Sequence, residues 1–367
     1  MNARERVQAA LRRQRPDRIP RYEIFLPGFI EKWREKKKPA GKFSVDDLSI
    51  YDAYPRIDIG MVLATQEGPF LKQAYRKENG DNITRRDSWG RVIRERKGAT
   101  FFEVAGNIIK DKGDIDKLEF ENPADFARPD LQSLAERTKL ITGRFAPVSG
   151  IMGLFMPSYY MRGEVPFMMD LMDDESFCRA LIDRIAGYLT VQAEAVVRLT
   201  GTADTALWIY DDFSSSRGPL ISPALFEKYF VPVYRRMTDR IKGMGVENII
   251  LHHDGNCWPV LDLIIAAGFT GIQGIYSGAG MTIPAVRAKY GSQLCLIGGM
   301  CNTTILASGS RSEIEKTVSE IVEVAGDGGV IIGSHSIDYD VAPEQYDIYY
   351  ECMSRFDEKW ASGNKGE

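Results

Sequence analysis

Only three histidines occur in the chain, and two of them stand side by side in residues 251–256, LHHDGN. An apolar run over 246–251 leads into them and a glycine turn follows. That is the pattern of a buried strand delivering polar side chains at its carboxyl end, before an apolar helix over 258–267. Side chains alternate along a strand, so His252 and Asp254 share one side and His253 takes the other. An imidazole and a carboxylate at i and i+2 make half of a metal site, or a hydrogen-bonded pair. The third histidine, His335, follows a second apolar run in GVIIGSHSI, residues 329–337. Asp211 and Asp212 follow a third, over 205–210. Their carboxylates suit capping of the next segment, and Asp212 also suits orienting a substrate or acting as a general acid.

Elements that deliver polar groups in this way repeat along the chain. Strand candidates lie at 18–25, 56–65, 145–151, 205–210, 246–251, 271–276, 293–297 and 330–333. They are apolar rather than alternating, as strands covered on both faces should be. Helical patterns lie at 2–13, 131–142, 175–199, 223–244, 258–267, 312–325 and 343–356. Eight βα units predict an α/β fold, a closed (β/α)₈ TIM barrel with an amino-terminal elaboration, forming one domain over 1–367. Residues 72–111 break the pattern. Their alternating β-forming residues, with turns at Asn79-Gly80 and Lys97-Gly98, predict a small antiparallel β insertion. A doubly wound open sheet would carry a glycine-rich phosphate turn after its first strand, and neither GxGxxG nor GxxxxGK[ST] stands in a suitable place.

In a barrel the site lies at the carboxyl ends of the strands, and there the polar residues collect. Tyr210 and Asp212 end the fourth strand, His252 to Asp254 the fifth, Gln273 the sixth, Gly298 to Cys301 the seventh and His335 the eighth. Tyr210, Gln273 and Tyr159 are candidate substrate contacts, Tyr159 as part of an aromatic and methionine wall over 152–160. Gly298 suits close approach of a ligand to the backbone. Cys301 reads as a metal thiolate, a nucleophile or an inert apolar residue. His253 is either an acid–base group or a packing residue.

Composition narrows the classes. With 44% apolar residues, 27% charged residues and a net charge of -4, the chain is an ordinary globular protein without a nucleic-acid footprint. The basic run at 32–38 reads as a solvated helix end or loop. No apolar run approaches a membrane span of about 20 residues, and the amino terminus lacks the apolar stretch of a signal peptide. Five scattered cysteines without CxxC spacing suit free thiols, so the expected compartment is the cytoplasm.

Several segments together carry a family resemblance. They are RERVQAALRRQRPDRIP, DSWGRVIRE, RGEVPFMMDLM, IYDDFSSSRGPLISPALFEKYFVP, LHHDGNCWPVLDLIIAAGFTGIQGI and, near the end, LIGGMCNTTILASGSRSEIEKTV and GSHSIDYDVAPEQYDIYYE. In their order the chain resembles the uroporphyrinogen decarboxylase superfamily, which implies a (β/α)₈ barrel. True decarboxylases carry an arginine-rich RQAGRY-type segment near the amino terminus for their carboxylate-rich substrate. This chain has PRYEIFLPGF there, with Arg21 as the one arginine of that segment, and so lies nearer the corrinoid-dependent methyltransferases. That branch holds zinc through a His-x-Cys pair after strand five and a cysteine after strand eight. By resemblance His252 falls on the histidine, Asp254 on the first cysteine and His335 near the second. This harder donor set suits Zn²⁺, Fe²⁺ or Mn²⁺, and a methyl ether better than a soft thiol. The resemblance implies a small methyl donor, a corrinoid carried by a separate protein and, by default, a homodimer. The alternatives are a cofactor-free decarboxylase in which Asp212 stabilises a protonated pyrrole, and a barrel that binds a tetrapyrrole without turning it over.

Overall fold

The computed structural model describes residues 1–37, 48–98 and 101–363. Eight short strands form one sheet: β1 (Arg21–Tyr22), β2 (Val62–Ala64), β3 (Val148–Met152), β4 (Leu207–Tyr210), β5 (Ile249–His252), β6 (Gly271–Ile275), β7 (Cys295–Met300) and β8 (Val330–Ser334). Every pairing is parallel, each strand from β2 to β8 lies beside the next, and β8 pairs with β1. A parallel bridge from Tyr22 to Ile59, just ahead of β2, closes the ring. The chain is a (β/α)₈ barrel.

Alternation along each strand sorts the core into two compartments. Tyr22, Val62, Val148, Trp208, Ile250, Ile297 and Ile331 fill the interior, while Leu207, Ile209, Ile249, Leu251, Ile272 and Leu296 face the helices. The interior is plugged from the amino-terminal side by α1 (Ala3–Leu11), whose Val7, Ala10 and Leu11 join the inner cluster. Asn2 caps this helix by accepting from the Glu5 amide at 2.9 Å, and Glu5 returns the bond to the Asn2 amide at 2.9 Å. The helix is thus stapled where the barrel needs its floor.

A buried carboxylate holds that floor to the ring. Asp58 receives Arg6 at 2.6 Å, Arg18 at 2.7 and 3.0 Å, and the Arg21 amide at 2.9 Å, while its own carbonyl accepts from the Ala146 amide at 2.8 Å. It joins α1, β1 and the approaches to β2 and β3, which is the structural meaning of the RERVQAALRRQRPDRIP segment.

Four strands, Tyr75–Asn79, Asn82–Arg86, Val92–Arg96 and Phe102–Gly106, form an antiparallel sheet. Its first hairpin turns through Gly80-Asp81, with Gly80 at φ 60°. Lys97 and Gly98 form the second expected turn, with Gly98 at φ 72°, and residues 99–100 lie outside the described residues. Ile83, Ile93 and Trp89 are buried beneath the sheet, and Trp89 donates to the Gln66 carbonyl at 2.8 Å. The sheet is thereby docked on the loop after β2.

Two stretches differ from the sequence expectation, and the basic run follows it. The pattern over 223–244 splits into Pro223–Tyr229 and Val231–Gly243, because Pro232 cannot donate into the preceding turn and starts a new helix instead. The segment after β3, read as a wall, is the helix Phe155–Arg162, followed by Glu164–Asp173. Lys32 to Lys37 of the basic run end the helix Pro27–Lys37, with Lys37 2.9 Å from Asp347, and Lys38 lies outside the described residues. Among the described residues no helix is long and apolar enough to cross a membrane.

Removing one partner of a buried ion network strands the others without compensation. Asp58→Ala should therefore cost about 3–5 kcal/mol, read as a lower denaturation midpoint at unchanged slope. An effect below about 1 kcal/mol would show that Arg6 and Arg18 need no buried acceptor.

Candidate active site

The same alternation decides which residues reach the barrel mouth. Trp208 is interior, so Tyr210 and then Asp212 continue on that side, while Asp211 turns outward behind Ile209. Ile250 is interior, so His252 follows it, and His253 follows Leu251 toward the helices. Gln273 is fully buried on β6, and Ser334 at the end of β8 is buried too, with His335 next in the chain.

Asp211 is a structural anchor. Its carboxylate accepts from the amides of Leu154, Phe155 and Met156 at 3.1, 2.8 and 2.8 Å and from the Tyr234 hydroxyl. It thus caps the helix Phe155–Arg162 across the sheet. Burial pushes its carboxyl up to about 6 against these donors. His253 is likewise built in: its ring is stacked on Phe213 at 4.0 Å, and Nδ1 donates to the Asp211 carbonyl at 2.7 Å. Nδ1 also lies 4.0 Å from Asp212 Oδ1, and Nε2 is buried without a partner among the described residues. Burial lowers this imidazole to about 4.

Asp212, His252 and Asp254 converge at the mouth. Each brings one ligand-type atom to within 4.8 Å of the others. The Asp254 amide donates to Asp212 Oδ1 at 2.7 Å, which draws the two loops together. His252 is fixed through Nδ1 by Gln273 Oε1, and Gln273 in turn donates to the Ser334 carbonyl at 3.4 Å. The free nitrogen, His252 Nε2, lies 3.6 Å from Asp254 Oδ1. The Tyr210 ring packs on the His252 ring at 4.6 Å. His335 stands behind, its Nδ1 2.7 Å from Asp254 Oδ1 and its edge on the Tyr276 ring at 4.4 Å. Its Nε2 is buried without a partner among the described residues. The set that meets is therefore Asp212, His252 and Asp254, with His335 holding Asp254 rather than sharing the cluster directly.

Charge in the cluster is unevenly held. Burial, then the neighbouring Asp254 carboxylate, push Asp212 up to about 7. Burial opposes ionisation of Asp254 as well, but the His335 hydrogen bond and the surrounding imidazoles bring its carboxyl below the usual range. Burial also lowers His252, so that it is neutral and able to donate a lone pair. Around an ion with bonds near 2.1 Å, tetrahedral donors stand about 3.4 Å apart. The half-exposed Asp254 side chain has the freedom to close that difference. One neutral imidazole, two carboxylates, and a second histidine orienting one carboxylate fit a catalytic zinc or iron site.

Other sequence candidates fall elsewhere. Tyr159 packs between Phe155 and Tyr160, and it is Tyr160 that faces the cavity. Gly298 serves the sheet: with φ 119°, it sits where β6 and β7 slip register around Gly274. Cys301 is buried beyond the cluster, accepting from Thr304 at 2.9 Å and lying 3.3 Å from the Thr303 hydroxyl. Burial pushes this thiol up, yet those hydroxyls and the Gly278 and Thr304 amides outweigh it and bring it down to about 7.

A cavity of about 260 Å³ opens over the cluster. Tyr210, Asp212 and His252 form its floor, Met152, Met156 and Tyr160 one wall, and Gln66, Glu67, Arg85, Asp87, Ser88, Trp89 and Arg91 the far side. The β insertion thus supplies part of the site, which motif spacing did not indicate. The local signal was the turn DSWG, where Asp87 Oδ1 accepts from the Trp89 and Arg91 amides at 3.1 and 2.9 Å and Gly90 takes φ 86°.

Fold and site together define a (β/α)₈ barrel protein with a polar, acid- and histidine-lined mouth. The family model for uroporphyrinogen decarboxylase (URO-D) matches residues 93–356, and the chain belongs to that family. A uroporphyrinogen decarboxylase of Syntrophotalea carbinolica is 28% identical over 189 residues, 49% of this chain and 49% of the relative. The methylcobamide:CoM methyltransferase MtbA of Methanosarcina mazei is 25% identical over 234 residues, 63% of this chain and 65% of the relative. The matches thus span about half and just under two thirds of these relatives' lengths. The solved structure of a methyltransferase from Methanosarcina mazei superposes with a TM-score of 0.70 over 97% of this chain and 99% of that one, at 17% identity, and so shares its fold.

The buried imidazole yields a pH prediction. Folded, His253 takes a proton only near pH 4, whereas the unfolded chain takes one up near 6.5, so stability should fall as pH drops through that window. By NMR, His253 should stay neutral from pH 8 to 5, and His253→Phe should flatten the acid limb of stability against pH. A His253 midpoint above pH 6 would contradict this placement.

Proposed function

We propose that the protein is an enzyme that moves a methyl group from a small methyl ether to a corrinoid carried by a separate protein. The observation that carries the reading is the convergence of Asp212, His252 and Asp254 at the mouth of a small cavity. Its volume, about 260 Å³, lies near the lower end of small-molecule sites, roughly 300–1,000 Å³. The relative MtbA supports the methyl-transfer class. Against the decarboxylase reading stands Arg21, the one arginine of the first strand. It is turned away from the mouth, paired with Asp357 and stacked at 5.0 Å on Tyr350.

Asp212, His252 and Asp254 would hold a metal ion, with zinc the first choice. When bound it supplies Lewis acidity toward the ether oxygen, whose bond to the methyl carbon is the one broken. The electron pair of that bond stays on oxygen and the methyl group leaves for the reduced corrinoid. Gln273 keeps His252 in the tautomer that presents Nε2 to the mouth. His335 holds Asp254 in place through Nδ1, and the departing oxygen takes its proton from water entering the mouth. Met152, Met156 and Tyr160 give the apolar body of the donor a dry surface.

With a reduced corrinoid and a methoxylated small molecule, wild-type protein should demethylate the ether with stoichiometric methylation of the corrinoid. His252→Ala and Asp212→Asn should each lose at least about a hundredfold in rate. Release of CO₂ from a carboxylated substrate by metal-stripped protein, with no methyl transfer, would replace this reading with the decarboxylase one.

A further inference from the structure

The cavity has two chemically different ends. At one lie His252 and Asp212, and at the other the β insertion contributes two guanidinium groups, Arg85 and Arg91. Arg91 donates through Nε to Asp87 at 2.6 Å and lies flat on the Tyr160 ring, its guanidinium carbon 3.4 Å from the centroid. Arg85 donates through Nε to Glu95 at 3.2 Å. In both cases the acidic partner is taken up at Nε, and the Arg91 guanidinium also interacts with the Tyr160 hydroxyl, which leaves donors over for a ligand. Asp87 is itself fixed by the Trp89 and Arg91 amides, so Arg91 is held in place before any ligand arrives. A guanidinium clamped at Nε and stacked on a ring keeps its outer edge free as a preformed fork, the geometry that matches a carboxylate. Between the ends run Met152, Met156, Tyr160 and Tyr210, an apolar and aromatic passage suited to a flat hydrocarbon body.

Building on the methyl-transfer reading, we propose that Arg85 and Arg91 form a carboxylate-recognition subsite, so that the donor class is a small methoxylated carboxylic acid. The acid group docks under the β insertion and the methoxy group lies over His252. The insertion then selects the substrate and the barrel acts on it. Asp212, at the His252 end, repels an acid that lies the other way round, while at the arginine end Asp87 is already paired with Arg91 Nε.

Calorimetric binding to the full chain tests the subsite without turnover, using 4-methoxybenzoate, benzoate, which has no methyl group to give, and the neutral 4-methoxybenzyl alcohol. Wild type should bind both acids at least tenfold more tightly than the alcohol. Arg91→Gln and Arg85→Gln should each weaken the acids about tenfold to a hundredfold and leave the alcohol within about threefold. Arg91→Lys should restore part of the loss. Arg85 is the more exposed of the two and carries the test if the Arg91 variant melts early. Equal binding of acid and alcohol by wild type, or unchanged acid binding in the Arg85 variant, would overturn the subsite. Because benzoate reports it without a methyl group, loss of acid binding in the variants with no methyl transfer from any ether would keep the subsite and reject the methyl-transfer reading. Methyl transfer by wild type as fast from neutral ethers as from methoxylated acids, with acid binding unchanged in the variants, would keep the methyl-transfer reading and reject the subsite.

Discussion

Two carboxylates facing each other across a half-buried mouth set the terms for the rest of this molecule. Within 4.8 Å of each other and at an effective dielectric near 20, two full negative charges repel by at least about 3.5 kcal/mol. The protein meets that cost in part by giving Asp212 the Asp254 amide and Asp254 the His335 imidazole. What remains shows in Asp212, which burial and its neighbour bring up to about 7. A cation between the two acids and the neutral His252 would remove the conflict.

Holding this arrangement requires a closed ring. The three cluster residues come from the tips of two neighbouring strands, and their support comes from β6 and from the loop after β8. A small opening of the sheet would separate them. Closure depends on the first two strands, which are only two and three residues long, so the Asp58 clamp and the α1 plug do what longer ladders do elsewhere in the ring. Stability at the amino-terminal end and chemistry at the carboxyl-terminal end are the usual division in such barrels.

Much of this was legible in the sequence. Strands β2 to β8 announce themselves as apolar runs, because a parallel strand covered on both faces has no polar side, whereas β1 is the short pair Arg21–Tyr22. Period-two alternation separates His252 from His253 and Asp212 from Asp211, since each pair differs only in which side of the sheet it faces. What the sequence concealed depends on distance across the fold. Asp211 caps a helix that precedes it by more than fifty residues, and Arg91 meets His252 in one cavity only because Trp89 docks the insertion on the loop after β2. Glycines were also easy to misread. Gly298 has the mark of a ligand-approach residue, yet its positive φ answers to the slip in register between β6 and β7.

The central claim is that Asp212, His252 and Asp254 hold a metal ion, and metal content measured by plasma mass spectrometry on untagged protein tests it most directly. The account predicts near one zinc or iron per chain in wild type, loss in Asp212→Asn and in His252→Ala, and full retention in Cys301→Ser, whose sulfur lies outside the cluster. No metal in wild type after reconstitution with zinc or iron, or undiminished metal in both cluster variants, would contradict it.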